Sequence, residues 1–407
     1  MIQYSVVIPT YNNKLLLNNT LESLNDQFGF EKGGYEVVVV DDGGTDHTLR
    51  EIEGTPRTYA FQYIYLERSE SSCRSKVRNT GWRQARGKYI IFLDSDMIVP
   101  RTYLQELNRY LVQNDDMLII SYRYMLKDPV SLEEVKSGRV FDTNYTALEF
   151  MEARHYDSQL HSFNIAALAH PWHCVYSCNM ALSKKRLEQI GGFDEGYKGW
   201  GMEDTDIGYR CYKLGIPIVL HLGMEALHQY HGEAFGDLRS MEKMREWDQN
   251  IVRMFSIHPS LKHELPRWRI NLAYFTRRVP QMLMRRERNR KEYYLTVRHE
   301  AQIPWMKEQI AALSAQRGDL IIVHDEVESR ELHLWIQLLG FTPSEVRYFP
   351  KSYVFAEADI RKFFKQVFSW KRMFVLVYRC IRLSGSKLAQ SFHKSSPKPS
   401  RSSEVPR

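Results

Sequence analysis

A chain of 407 residues that is 43% hydrophobic holds enough apolar material for one large core or two smaller ones, which excludes a wholly disordered polymer. Its net charge of +7 calls for a negatively charged partner, and charge alone admits nucleic acid, nucleotide phosphate and an anionic membrane face equally. Cys73, Cys174, Cys178, Cys211 and Cys380 form an odd, irregular set, which predicts free thiols in a reducing, cytoplasmic setting and argues against a disulfide framework.

The first residues run from Gln3 straight into a strand pattern, without the basic and apolar regions of a signal peptide, so no secretion is expected. No run of about 20 uncharged apolar residues predicts a membrane span. Ser5 to Pro9 reads as a strand that ends in Pro9-Thr10-Tyr11-Asn12, and apolar residues at helical spacing follow from Leu15 to Leu24. Val37 to Val40 is a second strand, stopped by Asp41-Asp42-Gly43-Gly44, with a helix start expected at Thr45 or Asp46. A third strand is predicted at Tyr63 to Leu66, a helix over Ser75 to Ala85, and a fourth strand at Tyr89 to Leu93 that delivers Asp94-Ser95-Asp96.

Near-continuous apolar strands alternating with helices predict an α/β fold with a mostly parallel sheet covered on both faces. Ligands of such sheets gather beyond the carboxyl ends of the strands. Three polar pairs fall at that edge: Thr10 with Asn12, Asp41 with Asp42, and Asp94 with Asp96. Asp94-Ser95-Asp96 offers hard oxygen ligands to a divalent cation, although an Asp-x-Asp by itself is also an ordinary surface turn. The buried strand in front of it favours the ligand reading, because burying acids costs free energy unless a cation or donor compensates. Asp41-Asp42 is either turn chemistry or an acceptor for a base imide N–H or a ribose.

Further along, Asp142 to Trp172 is weakly patterned and rich in aromatic residues and histidine, which suits a substrate-facing connection. Cys178 to Leu182 resumes strand character, a short basic helix and a Gly-Gly-Phe-Asp turn follow, and a helix is predicted from Glu203 to Leu214 with Gly215 as its cap. After about Phe255 prolines and an arginine-dense stretch from Arg267 to Arg298 mark a boundary. The expected organisation is a catalytic domain at 1–255, a basic helical and small α/β module at 256–394, and a disordered Ser/Pro/Lys-rich tail at 395–407. Within the module, Asp319 to His324 and Val346 to Val354 read as extended and Ser329 to Leu339 as helical.

Pro9-Thr10-Tyr11-Asn12, Asp41-Asp42-Gly43, Arg78-Asn79 with Gly81, and Asp94-Ser95-Asp96 occur in an order and spacing that resemble family 2 glycosyltransferases of the GT-A fold. Gly191-Gly192-Phe193-Asp194-Glu195 followed by Gly199-Trp200-Gly201-Met202-Glu203-Asp204-Thr205-Asp206 is similar to a galactosyltransferase-type half-site. Together the two resemblances cover roughly residues 1 to 255. They imply that Pro9, Thr10, Tyr11, Asn12, Asp41 and Asp42 surround the nucleoside of a UDP-sugar, with Asp42 on the base. Arg78 would approach the uracil or diphosphate, Asp94 and Ser95 the ribose side, and Asn179 would lie beneath the donor sugar.

The resemblance further implies Asp204 as general base of an inverting transfer, Glu203 as an acceptor or sugar contact, and Trp200 as an acceptor wall. The metal, Mn²⁺ or Mg²⁺, would be held by Asp96 with His231 first and His228 second, since His228-Gln229-Tyr230-His231 resembles a family Met-x-x-His element with His in place of Met. Cys178 stands where Gly or Ser is commoner, and Gly44 where Ser is. The acceptor expected is a saccharide or glycolipid precursor. The basic aromatic stretches suit either peripheral membrane contact or a solvated helix face, and without a recognition motif nucleic acid is not expected as a partner. A catalytically silent sugar-nucleotide sensor is the alternative from a different class, and peptide or small-metabolite acceptors are alternatives within the class.

Overall fold

The computed structural model describes residues 2–142, 163–168, 170–231, 241–265, 291–315, 318–339, 345–352 and 377. The predicted weak connection falls mostly at 143–162. The arginine-dense stretch before residue 291, the basic aromatic segments at 361–372 and the tail from 395 lie outside the described residues.

The chain opens with β1 (Tyr4–Thr10), α1 (Lys14–Ser23), β2 (Glu36–Asp41), α2 (Thr48–Ile52), β3 (Ala60–Tyr65), α3 (Arg74–Gln84) and β4 (Tyr89–Leu93). It continues through β5 (Met97–Ile98), α4 (Tyr103–Leu111), β6 (Leu118–Ile120), β7 (Arg123–Met125) and α5 (Leu132–Ser137). Then come β8 (Asn179–Ser183), α6 (Lys184–Ile190), α7 (Glu203–Lys213), β9 (Ile218–Leu220), β10 (Ala226–His228), α8 (Met241–Ile257) and α9 (Leu261–Glu264). The described residues close with β11 (Glu292–Val297), α10 (Ile303–Ser314), β12 (Leu320–Asp325), α11 (Arg330–Leu338) and β13 (Glu345–Pro350).

The central sheet has the order β3-β2-β1-β4-β8-β6-β9. Strands β3, β2, β1 and β4 run parallel, so Thr10 and Asp41 stand side by side in register, whereas β8 is antiparallel to both its neighbours. The expected mostly parallel α/β sheet is present. Its strands read as continuous apolar runs because both faces are covered. Val7, Val38, Val40, Ile90 and Phe92 enter one core, and Val6, Ile8, Val37, Val39, Ile91 and Leu93 enter the other, as the alternation of a pleated strand requires.

Two predicted bounds shift: β3 begins three residues before Tyr63, and α2 begins at Thr48, not at Thr45 or Asp46, because His47 takes a left-handed φ of 62° ahead of the helix. A small sheet, β5-β10-β7, stands beside the main one. The C-terminal strands form their own parallel sheet, β11-β12-β13.

Helix α11 carries this unit onto the edge of the main sheet. The Gln337 amide donates to the Leu220 carbonyl at 2.9 Å and accepts from the Leu220 N–H at 2.7 Å, filling the hydrogen-bonding positions that edge strand β9 would leave open. His333, fully buried, bridges the Tyr110 hydroxyl at 2.9 Å and the Phe163 carbonyl at 2.8 Å. Burial lowers its pKa to about 4, so it sits there as a neutral ring. Among the described residues no helix is long and apolar enough to cross a membrane.

Candidate active site

The carboxyl ends of β1, β2 and β4 put the three predicted polar pairs on one edge. Asp41 is 1% exposed and spends both oxygens locally, accepting from the Gly44 N–H at 2.7 Å and from the Tyr63 hydroxyl at 2.5 Å. It pins the turn, whereas the Asp42 side chain is 13% exposed. One Asp42 oxygen accepts from Arg68 at 3.0 Å, and Oδ1 is buried with no partner. Arg68 lies 4.0 Å over the ring of Tyr11, which is 45% exposed. Asn12 adopts a φ of 48° so that its Oδ1 can accept from the Thr45 N–H at 2.6 Å, and the Thr10 hydroxyl is buried without a partner.

Arg78 joins the two halves of the sequence. Only 4% exposed on α3, it donates to Asp94 at 3.0 Å, and its other terminal nitrogen stands 3.7 Å from Glu203 on α7. Burial works against its charge, but Asp94, Asp204 and Glu203 outweigh burial and hold the guanidinium charged. Its Nε and Nη1 make no hydrogen bond.

Glu203 and Asp204 occupy the first turn of α7, where the helix dipole favours acids. Burial, followed by the charge of Asp204, raises Glu203 to about 7. Asp204 keeps one buried oxygen, Oδ1, without a partner. Asp206, the third acid of the motif, is fully buried and is consumed by Arg210 at 2.8 Å and His258 at 2.6 Å, so it anchors the helix.

The loop before α7 is gripped from behind by α8. Glu246 accepts from the Trp200 N–H at 2.9 Å, and the Asn250 amide donates to the carbonyls of Lys198 and Gly201 at 2.9 and 2.8 Å. Arg253 pairs with Asp194 at 2.8 Å, and the rings of Trp200 and Trp247 lie 4.8 Å apart. Gly199 and Gly201 have φ of 66° and 93°, and a Cβ on them would stand 2.3 Å from Glu246 and 2.6 Å from Trp247. Both positions therefore require glycine.

Asp96, His228 and His231 meet at the third corner. One ligand atom from each lies within 4.8 Å of the others. The Asp96 carboxylate is 3.2 Å from His228 Nε2, close to the roughly 3 Å that separates two ligands bound at right angles about 2.1 Å from a divalent ion. The second Asp96 oxygen is buried without a partner, so the donor set fits a divalent cation. Gln229 fixes the segment: its N–H donates to the Asp96 carbonyl at 2.9 Å, and its side chain bonds Asn19 and the Leu16 carbonyl at 2.8 and 2.9 Å.

Two predicted donor contacts have partners within the protein. Asn179 is fully buried, its oxygen accepting from Tyr103 at 2.7 Å and its amide donating to the carbonyls of Tyr122 and Met224 at 3.1 and 2.7 Å, so the protein fixes its side chain. Ser95 accepts from Asn13 at 3.0 Å and is 8% exposed, which ties the turn between Asp94 and Asp96 to the start of α1. Pro9 lies in β1 just before the edge. Sequence reasoning missed Arg68, which the carboxyl-end rule would have supplied from the strand after β2, and the stripe Glu246, Asn250 and Arg253, whose spacing of four and three marks one helix face.

Residues 5–191 match the family model described as glycosyl transferase family 2, and residues 159–231 match the one described as N-terminal domain of galactosyltransferase. The chain is 30% identical over 272 residues to validoxylamine A glucosyltransferase of Streptomyces hygroscopicus subsp. limoneus, covering 64% of this chain and 58% of that protein. It is 28% identical over 246 residues to chondroitin synthase of Pasteurella multocida (strain Pm70), covering 56% of this chain and 25% of that protein. The chain thus spans less than two thirds of the length of these relatives. Among solved structures, a mannosyltransferase from Pyrobaculum calidifontis in complex with GDP-Man and Mn²⁺ aligns at 18% identity with a TM-score of 0.45, covering 69% of this chain and 73% of that one.

Proposed function

Residues 5–191 belong to family 2 of the glycosyl transferases, and from that premise we propose that the protein is an inverting, metal-dependent enzyme that moves a hexose or N-acetylhexosamine from a UDP-sugar to a hydroxyl of a saccharide or glycolipid precursor. The observation that carries the reading is Arg78, a buried cation that touches Asp94 of the nucleotide edge and Glu203 of the half-site beside it, so that donor and acceptor chemistry share one cleft.

Uracil suits the nucleotide end. Its imide N–H is a donor, and Asp42 Oδ1 is an acceptor without a partner, with Tyr11 and Arg68 as the flat surface beside it. Asp204 takes the proton of the acceptor hydroxyl as that oxygen bonds to the anomeric carbon and the bond from this carbon to the β-phosphate oxygen breaks. UDP departs with the bonding electrons, and Asp204 later returns its proton to solvent. Attack opposite the leaving group inverts the centre. Glu203, tied to Arg78, orients the acceptor. Trp200, fixed against Trp247, supplies an apolar wall that keeps water from competing.

Asp96, His228 and His231 would hold the cation, which supplies Lewis-acid charge to the diphosphate. Two imidazoles with one carboxylate suit Mn²⁺ better than Mg²⁺, which prefers an all-oxygen octahedron. The deciding experiment measures nucleoside diphosphate release over UDP-, GDP- and dTDP-sugars with Mn²⁺ or chelator, on wild type and Asp204→Asn. Release from a UDP-sugar that needs metal and vanishes in the variant is the expected result. A pocket that binds UDP-sugars by calorimetry but turns none over with any acceptor supports the sensor reading.

A further inference from the structure

The small sheet β5-β10-β7 has two faces, and the cleft uses one. Met97 and Ala226 point into the core beneath the site, while Ile98 and Leu227 point the other way, into a separate apolar cluster with Leu126, Val135 and Val140. Strand alternation puts His228 with Ala226 and Glu225 with Leu227. On the Leu227 side the surface is hollow. A cavity of about 460 Å³ is lined by Tyr124, Glu225, Leu227, Phe141, Pro100 and, from α11, Arg330. A second hollow of about 240 Å³ shares Pro100 and Phe141 with it and continues past Asn25, Lys136 and Ser137. The two hollows adjoin at Pro100 and Phe141, and the proposed transfer uses none of their lining residues.

We propose that this groove is a second saccharide-binding site, holding several units of a glycan chain away from the unit that reacts. Its chemistry is that of sugar recognition. A pyranose has an apolar face that stacks on rings such as Tyr124 and Phe141, and a hydroxyl edge that needs both acceptors and donors. The Glu225 carboxyl, which Tyr124 also hydrogen-bonds, is the acceptor. Arg330 is a donor held in place by Glu106 at 3.2 Å with its side chain 21% exposed. Burial raises Glu225 to about 7, which suits a group that exchanges hydrogen bonds with neutral hydroxyls rather than one built to hold a cation. Two adjoining hollows that share Pro100 and Phe141 suit consecutive sugars of a chain better than one small metabolite. Because Arg330 belongs to the C-terminal unit, the site needs both parts of the protein.

The inference borrows from the proposed function only the identity of the ligand as a glycan, so binding is tested apart from turnover. Saturation-transfer NMR on full-length protein saturated with UDP and Mn²⁺ would use mono- and tetrasaccharides of glucose, galactose and N-acetylglucosamine, with wild type, Asp96→Ala, Leu222→Trp and Glu225→Gln. Leu222→Trp fills the larger lobe from its rim. The expected result is that one tetrasaccharide binds more tightly than its monosaccharide, equally to wild type and Asp96→Ala, and about tenfold or more weakly to both groove variants. Absence of binding, binding untouched by both groove variants, or binding lost in Asp96→Ala overturns the proposal. Equal groove-dependent binding of an acidic peptide of matching length also overturns it. UDP release without glycan binding sinks this inference alone, and glycan binding without UDP release sinks only the catalytic reading.

Discussion

At the scale of single residues, Glu203 and Asp204 divide the work by environment. Asp204→Asn removes the acceptor of the proton and is expected to lower kcat by about 10²–10⁴ with donor affinity unchanged, measured by initial rates and by calorimetry with the UDP-sugar. Glu203 gives a stability signature. Its folded pKa of about 7 stands above the ordinary 4.5, so below pH 4.5 the carboxyl is protonated in both states and burial costs nothing extra. Between pH 4.5 and 7 the unfolded chain ionises first, and stability falls as pH rises. Above pH 7 the cost is constant, at most about 3 kcal/mol for a difference of 7 minus 4.5 pKa units. Glu203→Gln escapes this cost. Its melting temperature relative to wild type should climb from pH 5 to pH 8 and then level off, and a difference that stays flat across this range would mean that Glu203 is ionised throughout.

At the scale of elements, the loop at 194–201 and helix α8 act as a pair. Gly201→Ala puts a methyl at a φ of 93° within 2.6 Å of the Trp247 ring, which is expected to cost about 1–3 kcal/mol locally and to free Trp200 from its seat. Trypsin should then cut faster after the exposed Lys198, and the acceptor KM should rise while UDP affinity holds; unchanged cleavage would show that α8 does not hold the loop shut. This partnership also explains what the sequence could reveal. Strands β1, β2 and β4 and the polar residues at their ends were legible because local period, turn glycines and the carboxyl-edge rule act within a few residues. The choice of Asp42 over Asp41 for the base rested on the family resemblance alone. Which carboxylate turns inward depends on Tyr63 on the neighbouring strand, a contact between partners 22 positions apart in sequence. The partners of Asn179 were not legible either, because Tyr103, Tyr122 and Met224 come from three separate segments. The grip of α8 was written as a polar stripe, but nothing local names what a stripe holds.

At the scale of the whole molecule, composition shifts near Phe255 suggested two parts, and the packing bears on how independent they are. Arg330, His333, Leu334 and Gln337 on α11 all lie against the main sheet or α4, through an ion pair, two hydrogen-bonded bridges and a fully buried leucine in the core that also holds Val6 and Val39. Such contacts cover an edge strand that would otherwise present open backbone groups to other chains. Gln337→Leu isolates the effect. It strips the Leu220 N–H of its partner, at a cost of about 1–3 kcal/mol for a buried donor. If the two parts unfold as one cooperative unit, hydrogen exchange at residues 320–325 and at residues 89–93 should speed up by the same factor in this variant. Faster exchange confined to 320–325 would mean that the C-terminal sheet opens by itself, and the groove to which Arg330 contributes would then be a site that forms and dissolves with that opening.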